Sequence, residues 1–288
     1  MNFGNVLTAM VTPFNADGSI DFDVTTELIE HLIDTGTDGI VVAGTTGESP
    51  TLSENEKIAL FKHVVNVVNQ RIPVIAGTGN NNTADSIILT KEAEECGVDG
   101  IMLVTPYYSR PSQQGLYEHF AAIAKETTLP IMLYNIPGRS SVNMTSETTI
   151  RLSEIENIVS TKEASGDLDE ISRIIEYTKD DFMVYSGDDS MTLPVLAIGG
   201  DGVVSVASHV IGKEMSEIVS AFKNGETKKA ADIHRNVLPK IKGLFKAPSP
   251  APVKAALNLS GINVGGLRLP LVALSKEEEE ELKLILNK

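Results

Sequence analysis

Eight short apolar runs rich in β-branched residues recur along the chain, at 6–11, 39–43, 73–76, 100–104, 130–134, 158–161, 182–185 and 202–205. Each run is continuously apolar rather than alternating. That pattern suits strands covered on both faces, as in a parallel sheet. The segments between them carry a period of 3.6 residues. Val24, Leu28, Leu32 and Ile33 fall on one stripe, and Ile58, Phe61, Val64, Val65 and Val68 on another. Ser53 with Glu56 three residues on is a capping-box start for the second of these helices. Thr83, or an asparagine just before it, caps the helix that runs to Cys96, and Gly97 stops it. Strand and helix alternating eight times between residues 6 and 205 predict a (β/α)8 barrel of the α/β class. The alternative is an open doubly wound sheet. Its dinucleotide-binding form is disfavoured, because no G-x-G-x-x-G follows the first run.

Past Ser205 the pattern changes. Segments 209–222, 228–245, 252–259 and 276–286 all read as helices with no strand between them. The expected organisation is a barrel over 1–224 and a C-terminal helical region over 225–288. A connector at 246–252 separates two of these helices, because Pro248, Pro250 and Pro252 together cannot continue one.

Composition narrows the class. Of the 288 residues, 42% are apolar, enough for a substantial core. No apolar run reaches the roughly 20 residues of a membrane span, and the first residues lack the basic and apolar regions of a secretory signal. The single cysteine, Cys96, precludes an internal disulfide, and its helical context predicts a small buried apolar residue rather than a reactive thiol. These features predict a cytoplasmic protein. A net charge of −15 argues against nucleic acid as a partner, since phosphate binding needs a basic surface. The acidic segment 276–282 accounts for part of that charge and reads as a solvated helix face.

In a barrel, the chemistry sits at the C-terminal ends of the strands. Lys162 lies where the sixth run gives out, ahead of a turn at Gly166-Asp167. It has two readings: a lysine reaching for solvent or a nearby carboxylate, or a desolvated amine whose lowered pKa makes it nucleophilic toward a carbonyl. After the second run, Gly44-Thr45-Thr46-Gly47-Glu48-Ser49 is either a Gly-rich turn or a loop whose N–H groups face an anion. The guest expected there is a carboxylate, because no P-loop lysine follows. After the fourth run come Tyr107 and Tyr108, read as a lid or subunit contact or as proton carriers. After the fifth come Tyr134 and Arg139, the latter either a surface arginine or a fork suited to a carboxylate. Ser186-Gly187-Asp188-Asp189 reads as a helix cap rather than a metal site. No His, Cys or Asp cluster has metal-ligand spacing. His119 and His209 fall in helical contexts that predict solvated or hydrogen-bonded structural roles.

Taken together, Gly44-Thr45-Thr46-Gly47-Glu48-Ser49, Thr105-Pro106-Tyr107-Tyr108, Tyr134-Asn135-Ile136-Pro137, Lys162-Glu163-Ala164-Ser165-Gly166 and Ser186-Gly187-Asp188-Asp189 occur in an order and at spacings that resemble the dihydrodipicolinate synthase and N-acetylneuraminate lyase family of Schiff-base-forming barrels. The resemblance covers the whole chain, helical tail included. It implies that Lys162 forms an imine with pyruvate and that the resulting enamine adds to L-aspartate 4-semialdehyde, the first committed step toward diaminopimelate and lysine. It also implies that Tyr134 moves protons, linked through Thr45 to Tyr108 of a neighbouring subunit in a homo-oligomer, usually a tetramer. Thr46, mainly through its backbone N–H, is implied to hold the pyruvate carboxylate. Arg139 is implied to hold the semialdehyde carboxylate, and the Val204 backbone to contact pyruvate. No cofactor and no metal are implied, because the lysine imine is itself the electron sink. The alternatives are a sibling aldolase acting on a sugar acid, such as N-acetylneuraminate or a 2-keto-3-deoxy acid, and a non-catalytic metabolite-binding barrel. Members inhibited by lysine often carry histidines where this chain has Glu54 and Lys57, and a glutamate where it has Asp85, although Asn81 and Tyr107 match that regulatory site. Weak or absent feedback inhibition is therefore expected.

Overall fold

The computed structural model describes residues 3–287. Eight parallel strands close into a barrel in chain order: β1 (Val6–Ala9), β2 (Gly39–Val42), β3 (Val74–Gly77), β4 (Gly100–Val104), β5 (Ile131–Asn135), β6 (Ile158–Glu163), β7 (Met183–Ser186) and β8 (Gly202–Ser205). Strand β8 pairs back onto β1 through Leu7 and Val204. All eight predicted strands are present, and closure decides against the open-sheet alternative. Every residue of β1, β2, β3, β7 and β8 is buried, as continuous apolar runs require.

Around the barrel lie α1 (Phe22–Asp34), α2 (Glu54–Val68), α3 (Thr83–Glu95), α4 (Gln113–Ala124), α5 (Pro137–Ser140), α6 (Ser146–Ser153), α7 (Leu168–Tyr177), α8 (Thr192–Ala197) and α9 (Ser208–Lys223). Helices α10 (Thr227–Gly243), α11 (Ala251–Ser260) and α12 (Lys276–Leu286) follow and pack on α9 and on one another. The Ser53–Glu56 capping box forms in both directions. The cap of α3 is Asn82, which accepts from the Ala84 N–H, while Thr83 is already helical. Helix α10 stops at Gly243, and α11 starts at Ala251 with Pro252 in its first turn, where no amide donor is needed.

Strand alternation splits the core into two shells. Val6, Ile40, Val42, Ile101, Leu133 and Val203 pack outward against the helices. Leu7, Val41, Ile75, Met102, Met132, Tyr134, Tyr185 and Val204 fill the lumen. The barrel is therefore packed through its middle and opens only at its rim. His209 joins the segments just past its first and last strands: Nε2 accepts from the Val11 N–H at 3.1 Å, and Nδ1 donates to the Val206 carbonyl at 2.8 Å. Burial lowers its pKa to about 4, which matches a neutral ring in a structural role. Cys96 is buried, and its thiol is pushed up by that burial. Among the described residues, no helix is long and apolar enough to cross a membrane.

One boundary differs in a way that bears on the site. The apolar run 158–161 suggests that β6 ends before Lys162, but the strand continues through Lys162 and Glu163. The ladder explains the extension. Tyr134 of β5 and Tyr185 of β7 pair with Lys162 on either side, and Asn135 and Ser186 pair with Glu163. Neighbouring strands supply the hydrogen bonds that local apolarity does not announce.

Candidate active site

Strand parity turns Lys162 into the lumen and Glu163 outward. Lys162 is 5% exposed, and its Nζ lies 4.1 Å from the centroid of the Tyr134 ring. Burial lowers its pKa from the ordinary lysine value to about 8; the buried Asp189 charge opposes that shift, and the Arg139 charge adds to it. Desolvation wins. At a pKa of about 8, roughly one amine in ten is neutral at pH 7, against about one in three thousand at the unperturbed value. Of the two readings of Lys162, the structure supports the desolvated amine.

Room for that side chain comes from Gly187, the residue after β7. A Cβ there would stand 3.1 Å from both Cγ and Cε of Lys162 and 2.8 Å from the Cβ of Ala164. Asp189 closes the same side. It is 1% exposed and accepts from the Val206 and Ala207 N–H groups at 3.1 and 3.2 Å and from the Ser205 hydroxyl. Burial pushes its pKa up, and these three donors hold it down. The cap expected in this segment belongs to Asp188 alone, which accepts from the Ser190 N–H. Asp189 faces the amine electrostatically, a role its sequence position did not reveal.

On the outer face, Glu163 is 2% exposed, and burial raises its pKa to about 7. Its carboxylate accepts from Asn135 Nδ2 at 3.1 and 3.2 Å and from the Ser165 N–H at 2.9 Å. Asn135 Nδ2 also donates to Asn143 at 2.8 Å. This network pins the ends of β5 and β6 against each other and so fixes the depth at which Lys162 and Tyr134 sit.

Tyr134 is 4% exposed, and burial raises its phenol to about 12, opposed by the Arg139 charge and a hydrogen bond with Thr45. A phenol so weakly acidic stays protonated near neutral pH. A cavity of about 180 Å³ opens above the rim, and Thr45, Tyr134 and Arg139 are on its wall together with Gly79, Tyr107 and Ile136. Lys162, Thr46 and Val204 are not on that wall. All three are buried, Thr46 at 7% and Val204 at 1% exposure. Tyr108 is not gathered into this chain's site: it is 89% exposed, with a left-handed φ of +72°. Among the described residues, no cluster of His, Cys, Asp and Glu has the arrangement to hold a metal ion.

A closed parallel barrel with a buried amine between two tyrosines at its C-terminal mouth places the protein among the lysine-bearing (β/α)8 barrels. The chain belongs to the dihydrodipicolinate synthetase family, whose profile matches residues 2–288. It is 60% identical over 287 residues to the 4-hydroxy-tetrahydrodipicolinate synthase of Bacillus velezensis, covering 100% of this chain and 99% of that one. It is 61% identical over 283 residues to the synthase of the same name from Bacillus subtilis, covering 98% of each. Its fold superposes with a TM-score of 0.99 on a crystal structure of a dihydrodipicolinate synthase from Bacillus anthracis, at 58% identity, covering 100% of this chain and 99% of that one.

An amine whose ammonium form is disfavoured by burial weighs against folding. Between pH 8 and 10.5 the unfolded chain holds a proton that the folded chain has lost, so stability rises with pH across that window; below pH 8 the full penalty applies. Replacing Lys162→Met should therefore raise stability at pH 7 by about 3 kcal/mol, with the gain shrinking as pH climbs from about 8 toward 10.5. Urea denaturation of both proteins at pH 7 and pH 10 measures this. A variant no more stable than the parent at pH 7 contradicts the desolvated amine.

Proposed function

We propose that the protein condenses pyruvate with L-aspartate 4-semialdehyde to give 4-hydroxy-tetrahydrodipicolinate, as a lyase of the Schiff-base type. The observation that carries this reading is the burial of Lys162 at the mouth of the barrel, 5% exposed with its Nζ 4.1 Å from the Tyr134 ring, which lowers the amine's pKa. The synthase name shared by full-length relatives near 60% identity favours it over the sugar-acid aldolase.

The neutral Lys162 amine attacks the keto carbon of pyruvate, and loss of water leaves a protonated imine. That cation draws electrons from the adjacent methyl group. One C3 proton leaves, and the C–H pair becomes the enamine double bond. The enamine carbon adds to the aldehyde carbon of the semialdehyde, and the new alkoxide takes a proton. The product's own amino group then attacks the imine carbon and displaces Lys162, closing the ring and restoring the free amine. Tyr134, hydrogen-bonded with Thr45, is the carrier for these protons. The Thr46 N–H receives the pyruvate carboxylate, the Val204 backbone borders it, and Arg139 holds the carboxylate of the second substrate. The relay from Tyr134 through Thr45 ends on Tyr108 of another copy of the chain. The outward reach of Tyr108 in a single chain, at 89% exposure, supports a homo-oligomer, and a tetramer is our reading.

Lys57 lines the 180 Å³ cavity, Asn81 Nδ2 donates to the Tyr107 carbonyl at 3.3 Å, and Asp85 accepts from Asn82 Nδ2 at 2.8 Å. Of the positions that the family resemblance assigns to a lysine-regulatory site, Lys57 and Tyr107 line this cavity; Glu54, Lys57 and Asp85 are the departures on which weak or absent inhibition is proposed.

Borohydride added with pyruvate should attach one reduced pyruvyl group, on the peptide containing Lys162. The Lys162→Ala variant should lose both the label and nearly all turnover while remaining folded; labelling elsewhere, or full activity in the variant, contradicts the mechanism. In a coupled assay, aspartate semialdehyde should be consumed with pyruvate and sugar aldehydes should not, and the reverse result would assign the sugar-acid reaction. Millimolar lysine should lower initial rates weakly or not at all, and strong inhibition would overturn that expectation.

A further inference from the structure

The loop that carries Thr45 and Thr46 is tied to the far end of the chain by a charged cluster with no part in the chemistry above. Glu48 closes the turn: its N–H donates to the Thr45 carbonyl at 3.1 Å, and its own backbone is left-handed, with φ +58°. A non-glycine residue adopts that conformation only where its surroundings hold it there. Its side chain is buried and reaches away from the mouth. One carboxylate oxygen lies 2.7 Å from Lys254 Nζ of α11, and the other accepts from the Arg268 N–H at 3.0 Å. Lys254 is 1% exposed and also donates to the Gly266 carbonyl at 2.6 Å.

Both cations lie against Phe14, with Lys254 Nζ 4.2 Å and the Arg268 guanidinium carbon 4.4 Å from its ring centroid. The Arg268 guanidinium donates in addition to the carbonyls of Thr51 and Gly18, at 2.8 and 2.7 Å, and to the Glu56 carboxylate. Gly265, with φ +73°, lets this segment press onto the chain beside Phe14, since a Cβ there would stand 1.9 Å from the Phe14 carbonyl oxygen. From the other side, the Thr12 hydroxyl donates to the Gly47 carbonyl at 2.7 Å. The turn 45–48 is thus held from the segment after β1 on one side and from α11 and the segment that follows it on the other. A buried ion pair is weak evidence for stability as such, because desolvation offsets most of its attraction. What it supplies is a fixed geometry.

We propose that Glu48, locked by Lys254 and Arg268, is a positioning residue that sets where the Thr46 N–H and the Thr45 hydroxyl stand, so that the C-terminal helices govern pyruvate binding. The proposal rests on the reading of this loop as the pyruvate-carboxylate loop. The double variant Glu48→Gln/Lys254→Met removes the ion pair, leaves no uncompensated buried charge and keeps an acceptor for the Arg268 N–H. Its urea midpoint should stay near the parent's, while Lys254→Met alone, which strands the Glu48 carboxylate, should fall well below both. Half-saturating pyruvate in borohydride trapping should rise roughly tenfold in the double variant, with Lys162 still the labelled residue. A folded double variant that traps pyruvate at the parent's half-saturation overturns the proposal.

Amide hydrogen exchange on the unaltered protein tests it without substitution. The hydrogen-bonded amides of Glu48 and Ser49 should be as protected as those of α11, and fast exchange at these two beside a protected α11 also overturns it. A parent that traps no pyruvate sinks the reading of the loop instead, leaving hydrogen exchange to decide the latch.

Discussion

Everything at the mouth of this barrel follows from keeping one amine out of water. Lysine stays charged and inert as a nucleophile unless its surroundings disfavour the ammonium form. Here the lumen does so: Lys162 is enclosed by the side chains of the flanking strands, and its pKa falls to about 8. The balance is fine. Too much opposing negative charge restores the ammonium, and too little leaves a buried amine with nothing to steady it when protonated. Asp189 supplies that charge from a site already occupied by three hydrogen-bond donors.

The same constraint explains why the site is built on strands rather than on loops alone. Lys162, Tyr134 and Val204 project from β6, β5 and β8, whose register is set by the barrel's own hydrogen bonds. Position along the strand fixes depth, and depth fixes solvation. The outward network of Glu163 and Asn135 holds that register at the rim, where a parallel ladder has fewest neighbours. The loop after β2 carries Thr45 and Thr46, the short helix α5 carries Arg139, and the β2 loop is itself held by a buried cluster.

How much of this is legible in the sequence depends on range. The eight strands and most helices follow from local periodicity, and the capping box at Ser53 from a four-residue signature. The end of β6 does not follow, because Lys162 and Glu163 are strand residues only by virtue of β5 and β7. Asn82 rather than Thr83 caps α3, a choice between adjacent residues that side-chain reach alone decides. Gly187 and Asp189 sit in a segment that reads as a cap. Their roles appear only when β7 lies beside β6 and the turn after it meets β8. The tie between Glu48 and Arg268 spans 220 residues and joins a loop to a tail, so no window of the chain contains it. What stays hidden is the polar contact made across the closed barrel.

The most direct test is the titration of the amine itself. Carbon-13 NMR of protein labelled at the lysine Cε, with the Lys162 resonance assigned by its absence from the Lys162→Met spectrum, reports the midpoint. The account predicts a midpoint near 8 for this one resonance, set apart from the exposed lysines. A midpoint at the ordinary lysine value near 10.5 contradicts it, whatever the activity of the protein.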